Sequence, residues 1–263
     1  MVKVNPLALI TGASSGIGKA LTEEFAQAGY DVILAARTAP KLEAQAADLK
    51  QRFGITAHVI VCDLQTTDGA THLHAEIKNR DLMLSALVNN AGFGTFGNFN
   101  DMPLDSQLGM VELNVAAVVG LTKLFLPDLL ATKGKILNLA STAAFQPGPY
   151  MAVYFATKAF VLSFSQALAA ELASAGVTVT ALCPGPTASG FQDRAAMQHS
   201  ATVKGKHLPS SERIARKGFH AMQRGRRVYI PGVKNWILAQ LPRFTPRRLV
   251  TFIALFVIGP TKE

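Results

Sequence analysis

Between Pro149 and Phe160 the chain reads PYMAVYFATKAF, with tyrosines at 150 and 154 and a lysine, Lys158, four residues beyond the second. Residues four apart share a helix face, so Tyr154 and Lys158 point the same way if this stretch is helical. A free phenol, with a pKa of about 10, is a poor acid or base at neutral pH, but a neighbouring ammonium favours its phenolate and lowers that pKa. Tyr150 has no such lysine, because Tyr154 itself stands four residues on, and it reads as a lining or capping residue. Ser141 precedes Tyr154 by thirteen residues.

A second group of residues suits an anion. TGASSGIGKA, Thr11 to Ala20, follows a strand-like run and opens a helix-like one. There Gly12 permits a tight turn, Gly16 lets the backbone approach a pyrophosphate, and Gly18 lets the helix pack close to the sheet. Ser14, Ser15 and Ile17 complete the candidate contacts, and the amides at the helix N-terminus offer donors and a favourable dipole. Three glycines alone make a plain turn; their place between strand and helix is what gives them weight. The next strand-like run ends LAART, where Ala36 stands in place of the acid that would hold ribose hydroxyls and Arg37 stands beside it. A guanidinium suits a 2′-phosphate, which predicts NADP(H) in preference to NAD(H). The third run ends VCDL, so Asp63, next to Leu64, could accept from an adenine amino group or cap the following helix. The fourth ends VNNAGFG, where Asn90, Ala91 and Gly92 allow close contact with a cofactor ribose and the Asn side chains can tie neighbouring strands.

The elements that must hold these residues alternate from the start. LALIT, DVILAA, AHVIVC, LSALVN, GKILNLAS and VTVTALCP read as buried parallel strands, separated by helix-like segments ending at Ala28 and spanning 39–53, 67–80, 104–132 and 152–175. Repeated βα units with right-handed crossovers predict an α/β fold, a doubly wound parallel, Rossmann-like sheet with helices on both faces. One domain over 1–263 is expected, with 188–225 as the substrate-loop region and 226–263 as a basic, apolar C-terminal segment. Ser141 then follows the fifth strand and PGPTAS, Pro184 to Ser189, the sixth, so both fall at the carboxyl ends where such sheets bind ligands.

Taken together, TGASSGIG, NNAG, Asn114 in ELNVAA, Ser141 in NLASTAA, YFATK and PGPTAS resemble the short-chain dehydrogenase/reductase family over about residues 5 to 190. The resemblance implies hydride exchange between NADP(H) and a carbonyl/alcohol pair. It makes Tyr154 the acid/base, Lys158 the holder of the nicotinamide ribose and tuner of the phenol, Ser141 a ligand of the substrate oxygen, and Asn114 the anchor of a water in a proton relay. In the last motif, which begins at Pro184 and Gly185, it puts Thr187 backbone and the Ser189 hydroxyl near the carboxamide and phosphates, a mild departure from the family's usual branched apolar residue and threonine. Singly, each catalytic candidate has a bland role: Ser141 as a helix cap, Asn114 as a helix-bending residue, Tyr154 as a core aromatic. A cofactor-binding sensor or scaffold without turnover is the alternative class, and the complete Asn114, Ser141, Tyr154, Lys158 set argues against it.

The net charge of +9 lies at the C-terminal end: residues 201–263 carry 13 Lys and Arg against 2 acids, whereas 1–200 carry 13 against 15. An anionic membrane surface and a subunit interface both fit that segment, and the resemblance, whose members commonly form homodimers and homotetramers, inclines to the interface. Nucleic acid is not expected, since neither a readable motif nor a stacking platform accompanies the charge. LVTFIALFVIG, Leu249 to Gly259, is short of the ~20 residues that span a bilayer. The N-terminus has no signal-peptide pattern, and the two cysteines, Cys62 and Cys183, read as small buried hydrophobes, so a cytoplasmic protein, with membrane contact at most peripheral, is expected. No metal is expected, because His58, His72, His74, His199, His207 and His220 form no HExxH pair and the cysteines no CxxC. Phe93, Phe96, Phe99, Phe145, Phe155 and Phe191 are expected around the mouth, as walls of a pocket for a lipophilic ketone or acyl chain, with specificity set largely between 188 and 225.

Overall fold

The computed structural model describes residues 5–195 and 208–259; His199 and His207 lie outside these. Strand β1 (Leu7–Thr11) leads to α1 (Gly16–Gln27), β2 (Asp31–Ala36) to α2 (Ala39–Phe53), β3 (Ala57–Val61) to α3 (Gly69–Lys78), and β4 (Ala86–Asn89) to α4 (Leu104–Val111) and α5 (Ala117–Thr132). After β5 (Lys135–Leu139) come α6 (Ala152–Glu171), β6 (Thr178–Leu182), α7 (Phe191–Arg194), α8 (Ser211–Gln223), β7 (Val228–Tyr229), α9 (Val233–Gln240) and α10 (Arg247–Ile258). Among the described residues the sheet has seven strands, all parallel, in the order β3-β2-β1-β4-β5-β6-β7. The winding direction reverses between β1 and β4, which leaves a crevice at their carboxyl ends.

Successive strand side chains point to opposite faces, and β1 feeds two cores accordingly. Ala8 and Ile10 join Leu21, Phe25, Leu42 and Phe219 beneath α1, α2 and α8. Leu7 and Leu9 join Leu73, Leu121, Phe125 and Leu129 beneath α3 and α5. Burial on both faces is what makes the inner strands β1, β2, β4, β5 and β6 nearly continuous apolar runs, and it is why their period gives no amphipathic signal. A buried polar chain crosses the sheet centre: Asn89 Nδ2 donates to Asn138 Oδ1 at 2.8 Å, and Asn138 Nδ2 donates to Ser165 Oγ at 2.9 Å. It locks β4, β5 and α6 in one register.

The segment 104–132, expected as one long element, is interrupted by a π turn at Glu112–Ala116 between α4 and α5. An inserted residue widens the turn and bends the helix. Asn114 sits inside it, so the helix-bending role and a place in the site coincide.

Candidate active site

The crevice is one cavity of about 640 Å³ that runs from the glycine loop to the C-terminal helices. Every residue proposed from sequence for the cofactor lines it, from Gly12, Ser14, Ser15, Gly16, Ile17 and Gly18, through Arg37, Asp63 and Leu64, to Asn90, Ala91 and Gly92, and on the opposite side Pro184, Gly185, Thr187 and Ser189. Ser141, Tyr154 and Lys158 line it too.

At the loop, the glycines are required by close approach. Gly12 and Gly16 have φ of +65° and +54°, and a Cβ on Gly18 would lie 2.2 Å from the Gly12 carbonyl oxygen. The Asn90 side chain donates to the carbonyls of Thr11 at 2.8 Å and Gly12 at 3.3 Å, tying β4 to the loop. Across the crevice the backbone of Ser189 presses on Gly16, where a Cβ would meet its carbonyl oxygen at 2.8 Å. The α1 N-terminus faces this cradle with no acid in its first turn, so backbone N–H groups and dipole both favour a pyrophosphate. The residues present therefore fit a dinucleotide. Arg37 stands at the end of the cradle, its Nη1 donating to Gln65 Oε1 at 3.1 Å and lying 3.8 Å from Asp63 Oδ2. Asp63 accepts from the Gln65 amide at 3.0 Å, a local turn bond that leaves its other oxygen toward Arg37. Thr187 Oγ1 donates to the Gly185 carbonyl at 2.9 Å, and Ser189 Oγ donates to the Thr187 carbonyl at 3.2 Å, so both hydroxyls shape their own loop.

The chemical end is built by α6 packing over the end of β5. Lys158 is 6% exposed and its Nζ donates to the Leu139 carbonyl at 2.7 Å. Burial lowers its pKa to about 8. The ammonium lies 5.8 Å from the centre of the Tyr154 ring. Burial also pushes the Tyr154 phenol up to about 12, although the nearby Ser141 hydroxyl pulls it the other way by hydrogen bonding. The ring is partly accessible through the cavity it lines, yet the burial around its hydroxyl disfavours the phenolate. Ser141 Oγ accepts from the Ala143 amide at 3.1 Å, so it caps a short 3₁₀ turn as well as meeting the phenol.

Asn114 does not line the cavity. It stands one layer behind Gly92, where a Cβ would come 2.9 Å from Asn114 Oδ1 and 3.5 Å from Lys158 Nζ. Its amide bonds both backbone groups of Phe93, accepting from N at 3.1 Å and donating to O at 2.9 Å. It also donates to Thr157 Oγ1 at 3.1 Å, and Thr157 donates to the Tyr154 carbonyl at 2.7 Å. Thr157 was not foreseen, because a threonine between Tyr154 and Lys158 has no signature of its own. The π turn is thereby coupled to the helix that carries the phenol.

The aromatic wall is half of what the sequence suggested. Phe145, Phe155 and Phe191 line the cavity, with the Phe191 ring 5.2 Å from that of Tyr154. Phe93 turns toward Gly109 on α4, Phe96 packs on Tyr150 at 5.9 Å, and Phe99 is exposed on a 3₁₀ turn. The Phe155 ring lies flat over Gly148, where a Cβ would stand 2.2 Å from its Cγ. Tyr150, at φ +64°, lies away from the phenol, near Gly259 at the end of α10.

The remaining wall comes from α9 and α10. Asn235, Leu238, Leu241, Ile253, Ala254 and Val257 line the cavity, whereas of the described part of 188–225 only Ser189, Gly190, Phe191 and Gln192 do so. Helix α8 packs on α1 in the core instead. On α10 the residues turned inward are Val250, Ala254 and Ile258, spaced by four.

The family model described as short chain dehydrogenase matches residues 6–199. A very-long-chain 3-oxoacyl-CoA reductase of Anas platyrhynchos is 37% identical over 183 residues, 67% of this chain but 58% of the relative, so the match spans little more than half the length of that protein. A short-chain dehydrogenase from Sphingobium yanoikuyae in complex with NADPH superposes with a TM-score of 0.81 at 30% identity, covering 91% of this chain and 94% of the other. The bulky-bulky ketone specific alcohol dehydrogenase from Comamonas testosteroni does so with a TM-score of 0.78 at 29% identity, covering 92% and 93%.

Proposed function

The chain belongs to the short-chain dehydrogenase/reductase family of oxidoreductases, and from that premise we propose that it interconverts a lipophilic ketone or 3-oxoacyl group and its alcohol with NADP(H). The observation that carries this reading is the convergence of Ser141, Tyr154 and Lys158 on one cavity with the glycine cradle. Arg37 at the adenosine end, with no acid at Ala36, supports NADP(H) over NAD(H), as does the NADPH complex of the Sphingobium relative. The apolar wall of Phe145, Phe155, Phe191 and α10 supports a bulky apolar substrate, the kind of ketone taken by the Comamonas relative.

A bound nicotinamide dinucleotide supplies the hydride that reaches the carbonyl carbon. The chain's own work is at the oxygen. Tyr154 gives its phenolic proton there, and Ser141 Oγ donates a hydrogen bond to the same atom. Lys158, cationic at neutral pH, offsets the charge of the phenolate left behind and, with Leu139 holding one of its three donors, has others for the ribose hydroxyls. Asn114 fixes the backbone around Phe93 and Thr157, close enough to Lys158 to anchor a water that returns the proton.

The test is NADPH consumption against a panel of ketones, 3-ketoacyl thioesters, steroids and sugars, repeated with NADH. Turnover of apolar ketones or thioesters, with kcat/KM at least about tenfold higher for NADPH, is expected. Tyr154→Phe should lower turnover by about 10³-fold or more while NADPH binding, followed by fluorescence, stays within about threefold. Retained turnover in that variant overturns the mechanism, and equal efficiency with NADH overturns the cofactor assignment.

A further inference from the structure

The two helices that wall the cavity have their outer faces inverted relative to an ordinary surface helix. On α10, Val250, Ala254 and Ile258 turn inward, yet the opposite stripe is not polar: it is Leu249, Phe252, Ile253 and Phe256, spaced i, i+3, i+4, i+7. Phe252 and Phe256 are 58% and 66% exposed and pack edge to face at 4.9 Å. Helix α9 continues the pattern with Val233, Trp236 and Ile237, and Phe244, 85% exposed, stands in the connection between the two. Such a contiguous exposed apolar surface marks a place of interaction.

Charge decides what covers it. Residues 226–259 contain Arg226, Arg227, Lys234, Arg243, Arg247 and Arg248, all exposed, and no acid at all. A second copy of this face would bring like charges together, and rim charges of one sign suppress pairing. Anionic headgroups would neutralise them, while Trp236 and the phenylalanines suit the boundary between headgroup and acyl chain. Helix α10, with 12 residues, is about 18 Å long and short of a ~30 Å hydrocarbon core, so it lies along a surface and does not cross it.

We propose that α9, the connection after it and α10 dock the protein on an anionic bilayer surface, and that a membrane-dissolved substrate passes between these helices into the cavity. The second part rests on the reductase reading above. Its geometric basis is that Leu238, Leu241, Ile253 and Val257 line the cavity and are each also about half exposed, so only a single layer of side chains separates the proposed lipid face from the site.

Flotation of the full chain with phosphatidylcholine vesicles, with and without phosphatidylserine, tests the docking. Binding to the anionic vesicles at low salt is expected, weakened at high salt and weakened roughly 30-fold or more in R247E/R248E. F252E/F256E, whose residues do not line the cavity, should lose vesicle binding and slow reduction of a ketone embedded in vesicles, while reduction of a water-soluble ketone is unchanged. Absence of flotation on anionic vesicles overturns the proposal. So does equal binding to neutral vesicles, or a concentration-dependent dimer that F252E/F256E dissolves while vesicles remain unbound. Vesicle binding by a protein that consumes no NADPH would uphold the docking and remove the reductase reading alone.

Discussion

Tyr154 and Lys158 depart from the simplest expectation for such a pair. Proximity of an ammonium should lower the phenol, but burial outweighs it and pushes the phenol up to about 12 and the lysine down to about 8. For a proton donor this is the useful order, since the phenol is protonated and the lysine charged at neutral pH. As pH rises through about 8 the lysine discharges while the phenol remains neutral. kcat/KM for NADPH in the reductive direction should therefore be flat below about 7 and fall with an apparent pKa of about 8, the profile of the free enzyme. Stability should move oppositely. The folded pKa lies below the ordinary 10.5, so the unfolded chain binds more protons between the two values, and stability gains as pH climbs from about 8 to 10.5. Thermal melts across that window should show the wild type gaining on Lys158→Met, and parallel curves would remove Lys158 from the account.

At the scale of elements, the π turn and α6 act as one part. Asn114 reaches Thr157, and Thr157 reaches the carbonyl of Tyr154, so the phenol's position depends on a side chain that never enters the cavity. Thr157→Val should lower kcat about tenfold with little change in NADPH affinity, and Thr157→Ser should restore it. A drop in melting temperature with unchanged kcat would make Thr157 merely structural. This coupling was not legible beforehand, because hydropathy reads 104–132 as one segment and a π turn needs only one residue more than the helical ladder accommodates. The five inner strands were legible, since burial on both faces leaves short apolar runs; β3, expected as a buried strand, is an edge strand in which Ile60 alone is buried. The meeting of Ser141, Tyr154 and Lys158 on the cavity was legible because their motifs are local; the pocket walls were not. Phe96 and Phe99 lie as near to the motifs in sequence as Phe145, but only a tertiary path tells which loop bends inward. Helix α10, apolar on nearly every face, has no phase from which its inner side could be read.

For the molecule as a whole, the sheet holds a cofactor-shaped cradle at one end of a cavity and the last described helix closes the other. Substrate size should therefore be governed from α10. Ala254, 2% exposed and on the cavity wall, offers the test: Ala254→Trp should cut kcat/KM for bulky ketones about tenfold or more while sparing small ones. Equal losses for both sizes would place the effect on folding. The interlock of Gly148 with the Phe155 ring has a further consequence, for mutational history. Any side chain at 148 displaces Phe155, so a lineage can leave glycine there only after shrinking residue 155, which opens the cavity. A change of substrate range would then come first and the loop substitution second, with the reverse order barred by a steric clash.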